Sequence, residues 1–256
     1  MVIDGYNNTW ERDTRSDYLA GDGFGAEQML KAMDAAGVDM AVACSLGQAI
    51  DNSYIRSVQE RWPGRIIGFG QVNPRLDGAA TEVGQCARNG LRGIKLHPTM
   101  HGYHFCDHSL LDPVLAACAD HGLAVLVNAL DDPFCAPLAI EEIARPFPAV
   151  PVLIAHMGTI WNVMEAIMVA ERTANLYLET SAAQLLDVRT AYRRLGPEKI
   201  IMGTDWPGSD FDLERAKIAR AVPDPEHRQR VEGGNLAALL GLEPGHVTSA
   251  YRRDPA

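Results

Sequence analysis

The stretch Val152-Leu153-Ile154-Ala155-His156-Met157-Gly158 decides the fold. Four apolar residues run unbroken and are closed by a histidine and a glycine. A strand half-open to water would alternate polar and apolar side chains. A continuous apolar run is the mark of a strand covered by helices on both faces, here one that delivers an ionisable group at its C-terminal end. Working outward, similar runs stand at 2–5, 40–44, 66–71, 93–97, 124–128, 176–180 and 200–204. Helical patterns alternate with them at 26–36, 52–62, 78–88, 112–121, 136–145, 161–172, 183–195 and 213–220. Repeated strand–helix units imply a parallel sheet with right-handed crossovers, and eight units point to a closed (β/α)₈ TIM barrel. An open doubly wound sheet is disfavoured because no Gly-rich dinucleotide turn follows the first run. Pro and Gly mark the unit boundaries at Trp62-Pro63-Gly64, Phe147-Pro148 and Leu195-Gly196-Pro197. A last helix at 226–240 is expected to pack under the barrel. The reading is of one domain over 1–256, with a polar tail from about residue 247 loosely ordered.

Composition narrows the function classes. Thirty-three acidic residues outnumber 23 basic ones, giving a net charge of -10. With no Lys/Arg run, this excludes nucleic acid and an anionic membrane surface as expected partners. No apolar run approaches membrane-spanning length, and the N-terminus reads as a strand, not a leader peptide. Cys44, Cys86, Cys106, Cys118 and Cys135 are odd in number and lack C-x-x-C spacing, so they read as free thiols in a cytoplasmic protein. The expected partner is a small-molecule substrate, with a homodimer possible.

Strand parity locates a candidate site. Alternate residues of a barrel strand point inward. By that rule Asp4, Tyr6 and Asn8 share a face at the end of the first strand, and Lys95 and His97 at the end of the fourth. Asn128 ends the fifth strand, His156 the sixth, Glu179 and Ser181 the seventh, and Asp205 the eighth. Polar groups from different strands meeting at the C-terminal rim are the usual form of a barrel active site. Each also has a structural explanation; Lys95 and Glu179, for example, could form a buried ion pair. Two excursions, 8–24 and 98–108, leave from the same rim and are candidate lids. The second carries His101, His104 and His108.

Several further stretches occur in a recognisable order: Met33-Asp34-Ala35-Ala36-Gly37-Val38-Asp39, Gly68-Phe69-Gly70-Gln71-Val72-Asn73-Pro74, Gly93-Ile94-Lys95-Leu96-His97-Pro98, Ala155-His156-Met157-Gly158, Gly203-Thr204-Asp205-Trp206-Pro207 and Gly234-Asn235-Leu236-Ala237-Ala238-Leu239-Leu240-Gly241-Leu242. Together the chain resembles the amidohydrolase-related family, in its decarboxylase- and lactonase-like branch. The resemblance implies a divalent metal held by a His-x-His on the first strand, a His ending the fifth and an Asp ending the eighth, with the His ending the sixth as catalytic acid/base. Those ligand positions fall on Tyr6, Asn8, Asn128 and Asp205, and the catalytic position on His156. Only Asp205 is an ordinary ligand. Amides and a neutral phenol are poor zinc donors, so the expectation is a degenerate metal site with no cofactor. The alternatives are a divalent ion held weakly near Asp205, or a relocated site using His97, His101 or His104.

What remains supports acid/base chemistry: Asp205 as base or orienter, His156 as proton shuttle, and Lys95 facing a substrate carboxylate or developing oxyanion. Tyr6, Asn8, His97, Asn128 and Glu179 would line the pocket, and Trp161, Trp206 and Tyr103 would wall it. The first expectation is metal-independent hydrolysis of a lactone, an ester or an activated C–N bond. A lyase acting by decarboxylation, dehydration or cyclisation is the alternative, and a non-catalytic binding protein the second.

Overall fold

A computed structural model of the chain describes residues 1–10, 24–47 and 50–242. Eight parallel strands run in sequence order: β1 (Ile3–Asp4), β2 (Met40–Ala43), β3 (Ile66–Gln71), β4 (Gly93–Leu96), β5 (Ala124–Asn128), β6 (Val152–Ala155), β7 (Leu176–Glu179) and β8 (Ile200–Ile201). Register pairs Ile3 with Met40, Gln71 with Lys95, Leu126 with Leu153 and Glu179 with Ile201. The ring closes beyond the short ends of β1 and β8. There Gly5 N donates to Met202 O (2.8 Å), Asp205 N to Tyr6 O (2.8 Å) and Asn8 N to Trp206 O (2.8 Å). The seam is tight: a Cβ on Gly5 would stand 2.7 Å from Ile201 Cγ2.

Parity holds. Ile3, Tyr6, Val42, Phe69, Leu126, Leu153 and Ile201 fill the barrel. Ile94, Leu96, Val125, Val127 and Ile154 face outward into the layer under the helices. Lys95 therefore points inward because its neighbours Ile94 and Leu96 are claimed by the outer layer. The helices are α1 (Ala26–Ala36), α2 (Asn52–Arg61), α3 (Ala79–Arg88), α4 (Pro98–His101), α5 (His108–His121), α6 (Pro137–Ala144), α7 (Val163–Arg172), α8 (Leu185–Leu195), α9 (Phe211–Ala221), α10 (Pro225–Gln229) and α11 (Asn235–Leu239).

Three departures from expectation have physical causes. Helix α5 begins at His108, ahead of 112, because the Asp107 carboxylate accepts from Ser109 N at 3.0 Å and caps it. The excursion after β4 is partly helical, since His97 Nδ1 caps α4 by accepting from Met100 N. The single last helix expected at 226–240 is broken by a π turn, Arg230–Gly234. Gly233 there presses on the chain start, where a Cβ would lie 2.8 Å from Ile3 N. Most of the lid expected at 8–24, and the whole expected tail, lie outside the described residues. All five cysteines are free, and Cys106 alone is exposed. Among the described residues no helix is long and apolar enough to cross a membrane.

Candidate active site

Two hydrogen-bonded chains meet at the C-terminal rim. In the first, Lys95 Nζ donates to Asn8 Oδ1 (2.6 Å) and to Ser45 O (3.2 Å). Asn8 Nδ2 in turn donates to Asp205 Oδ1 (2.6 Å). The Lys95 nitrogen also lies 5.0 Å from the centre of the Tyr6 ring, within cation–π range. In the second chain, Asn128 Nδ2 donates to Tyr6 Oη (3.2 Å) and faces His156 Nε2 at 3.0 Å. His156 Nδ1 meets Ser181 Oγ at 3.0 Å, and that hydroxyl donates to Glu179 Oε2 at 2.6 Å.

The second chain sets a tautomer. When Glu179 is ionised, Ser181 spends its one proton on it, so the hydroxyl can only accept from the imidazole, and His156 carries its proton on Nδ1. The Nε2 lone pair then faces Asn128 and the pocket. Tyr6 accepts from Asn128, which leaves its own O–H to donate to a ligand. Asn128 Oδ1 is buried and unpartnered. Among the described residues, the site thus offers a phenol and an ammonium as donors, and a carboxylate and an amide oxygen as acceptors.

Burial governs the charges. It lowers Lys95, with Cys44 and Asp205 pulling the other way. It raises Asp205 to about 7, opposed by the Lys95 ammonium and the Asn8 amide. His156 falls to about 4, through burial and then Lys95, and His97 to about 3 for the same two reasons. Tyr6 is pushed well above the usual phenol range by burial and then by Asp205. Below the pocket, burial raises Glu179 to about 8 and Asp4 to about 7, although several donors reach each carboxylate. Asp205 is therefore a pocket-wall carboxylate that titrates near neutrality.

The structure brings Tyr6, Asn8, Lys95, Asn128, His156, Glu179 and Asp205 together. It does not pair Lys95 with Glu179, whose carboxylate is taken by Ser181 and by His156 N at 3.2 Å. His97 faces the site beside His101, with ring centres 6.4 Å apart. Trp161 does not wall a pocket: it is 85% exposed, with its backbone N–H donating to Asp131. Trp206 is buried in the seam against Phe24 and serves the core. Tyr103 is buried with an unpartnered hydroxyl. The loop histidines scatter: His101 bonds Gly47 O, His104 bonds Pro133 O, and His108 pairs with Asp112. Asn7 escaped notice in the sequence. Its amide donates to Asp4 (2.9 Å) and Val42 O (3.1 Å) and accepts from Trp206 N (3.1 Å), locking β1 to the Asp205 turn. An asparagine next to a strand end is its only sequence signal.

The donor set does not fit a tightly held transition metal. Asn8 Oδ1 already accepts from an ammonium, which would repel a second cation. The Tyr6 phenol stays neutral, and Asn128 is engaged with His156. Among the described residues no three His, Cys, Asp or Glu side chains converge to hold an ion.

A family model described as amidohydrolase matches residues 8–242. A 4-sulfomuconolactone hydrolase from Hydrogenophaga intermedia is 24% identical over 247 residues, covering 84% of this chain and 78% of that protein. Among solved structures, a TIM-barrel protein from Bordetella bronchiseptica superposes with a TM-score of 0.80 at 20% identity, covering 94% of this chain and 98% of that one. A dihydroxybenzoic acid decarboxylase from a Polaromonas species, solved with manganese and 2-nitroresorcinol bound, gives 0.75 at 14% identity, covering 97% and 99%.

Proposed function

The chain belongs to the amidohydrolase family, and from that premise we propose that it is a hydrolase that opens a lactone or an ester without a metal ion. The observation that carries this reading is the Lys95–Asn8–Asp205 line, with Asp205 raised to about 7 and Oδ2 making no hydrogen bond to a described residue. A carboxylate titrating near working pH is matched to take a proton from water and return it. Asp205 deprotonates the attacking water as its oxygen bonds to the carbonyl carbon. The carbonyl electrons move onto oxygen, where the Lys95 N–H and the Tyr6 O–H stabilise them. Collapse expels the alkoxide, which takes the proton back from Asp205. His156 serves as shuttle once a ligand polar group draws the Asn128 amide away from Nε2.

An ester or lactone suits this set because its leaving oxygen needs less assistance than an amide nitrogen. A lactonase relative points the same way. The second reading is decarboxylation, favoured by the decarboxylase neighbour and by the His156–Ser181–Glu179 relay, which could store a proton for return to carbon.

The test is a panel of small lactones and aryl esters run in ¹⁸O-labelled water, with protein dialysed against chelator. The expected result is one ¹⁸O in the new carboxylate, turnover that survives chelation, and loss of turnover in Asp205→Asn and His156→Asn. Activity lost on chelation and restored by zinc or manganese overturns the metal-free reading. Release of CO₂ without solvent oxygen in the product overturns hydrolysis in favour of the lyase.

A further inference from the structure

The charge of this site sets a rule for its substrate. At the strand ends and directly behind them, among the described residues, stand two ammonium groups, Lys95 and Lys217, and four carboxylates, Asp4, Glu179, Asp205 and Glu214. Lys217 is already spent. It is paired with Glu214 and donates to Thr180 O (2.9 Å) and Ala183 O (2.9 Å). Lys95 is linked to Asp205 through Asn8 at 2.6 Å on either side. Each cation thus has its own carboxylate partner, leaving Asp4 and Glu179 over. With Asp205 and Glu214 ionised, the sum is zero when both of these are protonated and two negative charges when both are ionised.

Among the described residues, the guanidinium on the β3 side, Arg75, is committed to α4, donating to His101 O (3.2 Å) and Gly102 O (3.3 Å). The segment after β5 adds Asp131 and Asp132, which receive Trp161 N (2.9 Å) and Thr99 Oγ1 (2.7 Å). His97, His101 and His156 are all shifted toward the neutral form.

We infer that this site takes an uncharged lactone or ester, or one bearing at most a single carboxylate. Among the described residues Lys95 is the one cation presented to the pocket, and one carboxylate is all it can pair. A second anionic group would be desolvated with no partner, against Asp205 and the carboxylates behind it, a costly burial. The substrate of this chain then differs in charge from a sulfonated muconolactone, the compound in its lactonase relative's name. The inference rests on the proposed use of the site for a small carbonyl compound but not on the reaction being hydrolysis.

The experiment is a charge ladder on two carbon frames, read as binding by calorimetry at fixed ionic strength. One frame is 2-pyrone, 2-pyrone-5-carboxylate and 2-pyrone-4,6-dicarboxylate; the other is phenol, benzoate and isophthalate. On a frame that binds, the dicarboxylate is expected to be weaker than the better of the other two members by about tenfold or more, or 1.4 kcal/mol. Asp205→Asn removes one negative charge and should narrow that gap. A dicarboxylate that binds best, or a gap unmoved by Asp205→Asn, overturns the charge rule while leaving the hydrolase reading standing. The expected ladder with no lactone or ester turned over leaves the charge rule and removes hydrolysis. Failure of every member of both frames to bind overturns both.

Discussion

Ser181→Ala tests the relay behind His156. The hydroxyl makes two buried contacts, 3.0 Å to His156 Nδ1 and 2.6 Å to Glu179 Oε2. Its loss removes a hydrogen bond to a carboxylate, about 1.5–3 kcal/mol, and strands a buried N–H, about 1–3 kcal/mol. The two costs share one cause and do not add fully, so the expected destabilisation is about 2–4 kcal/mol. The imidazole has one escape: its proton can move to Nε2 if Asn128 turns its buried, unpartnered Oδ1 toward the ring. That escape saves stability but inverts the group facing the pocket, from lone pair to N–H. Turnover should then fall by about 10²–10⁴, the range of a general acid–base contribution. Urea unfolding measures the first effect; with a slope of about 2–3 kcal/mol per molar the midpoint drops by about 1 M. Nitrogen-15 spectra of labelled histidine measure the second. A variant within about 0.5 kcal/mol of the parent, with His156 still protonated on Nδ1, would refute the relay.

Asp4→Asn should keep the fold, because an amide can accept from Tyr6 N, Asn7 and Thr204 N while its nitrogen donates to Thr204 Oγ1. Asp4 is raised from 3.8 to about 7, so its contribution is fully present below pH 3.8 and lost as pH climbs through 7. The variant's stability, followed by denaturant titration from pH 4 to 8, should fall less steeply than the parent's; equal slopes would count against a buried titrating Asp4. Lys95→Met removes the cation that holds Asp205 down, so the acidic limb of the pH–rate profile should move alkaline from about 7; an unmoved limb separates the two groups. Gly203→Ala would set a Cβ 2.2 Å from Glu179 Oε1, and the crowding should cost about 1–3 kcal/mol in chemical denaturation. A neutral result would mean that the carboxylate can move aside.

The barrel was legible because the middle strands keep largely apolar runs, broken in β4 by Lys95 alone: Ile94, Val125 and Leu153 sit where the pattern puts them. The ends were harder. Only Ile3–Asp4 and Ile200–Ile201 pair as strands, since Gly5 and Gly203 leave the seam to single hydrogen bonds and cross-links from Asn7. Parity also placed Lys95, Asn128, His156 and Asp205 around one point, because inward direction is a local property of a strand. Exposure is not local. Trp161 has the composition of a pocket wall, but it follows a turn that leaves the barrel and stands in solvent. The partner of His156 could not be read from spacing either. Ser181 lies 25 residues away, and the contact depends on how the chain turns after β6. The Lys95–Glu179 pair failed for a related reason: the two residues share a rim, but nearer backbone and hydroxyl donors surround the glutamate.

That turning is itself unusual. His156, Met157 and Asp205 have φ of 62°, 54° and 57°, in the left-handed region that glycine occupies freely. Side chains there cost about 1–3 kcal/mol each. Local bonds hold them: Thr159 N and Oγ1 both donate to His156 O, at 2.9 and 2.6 Å, and Asp205 is gripped by its N–H to Tyr6 O at 2.8 Å and its carbonyl to Gly208 N at 2.7 Å. Both residues proposed for proton transfer therefore stand on strained backbone, an arrangement common at functional sites. A pair of variants separates the strain from the chemistry. Asp205→Ala and Asp205→Gly lose the same carboxylate and free the same Asn8 amide, so their difference isolates the backbone. In a helix or strand the alanine protein is the more stable by about 0.5–1 kcal/mol. At position 205 the order should reverse, with glycine ahead by about 1 kcal/mol, read as the difference in unfolding free energy between the two proteins. Alanine equal to or ahead of glycine would show that the left-handed turn carries no strain, and that Asp205 is held where it is by its side-chain contacts alone.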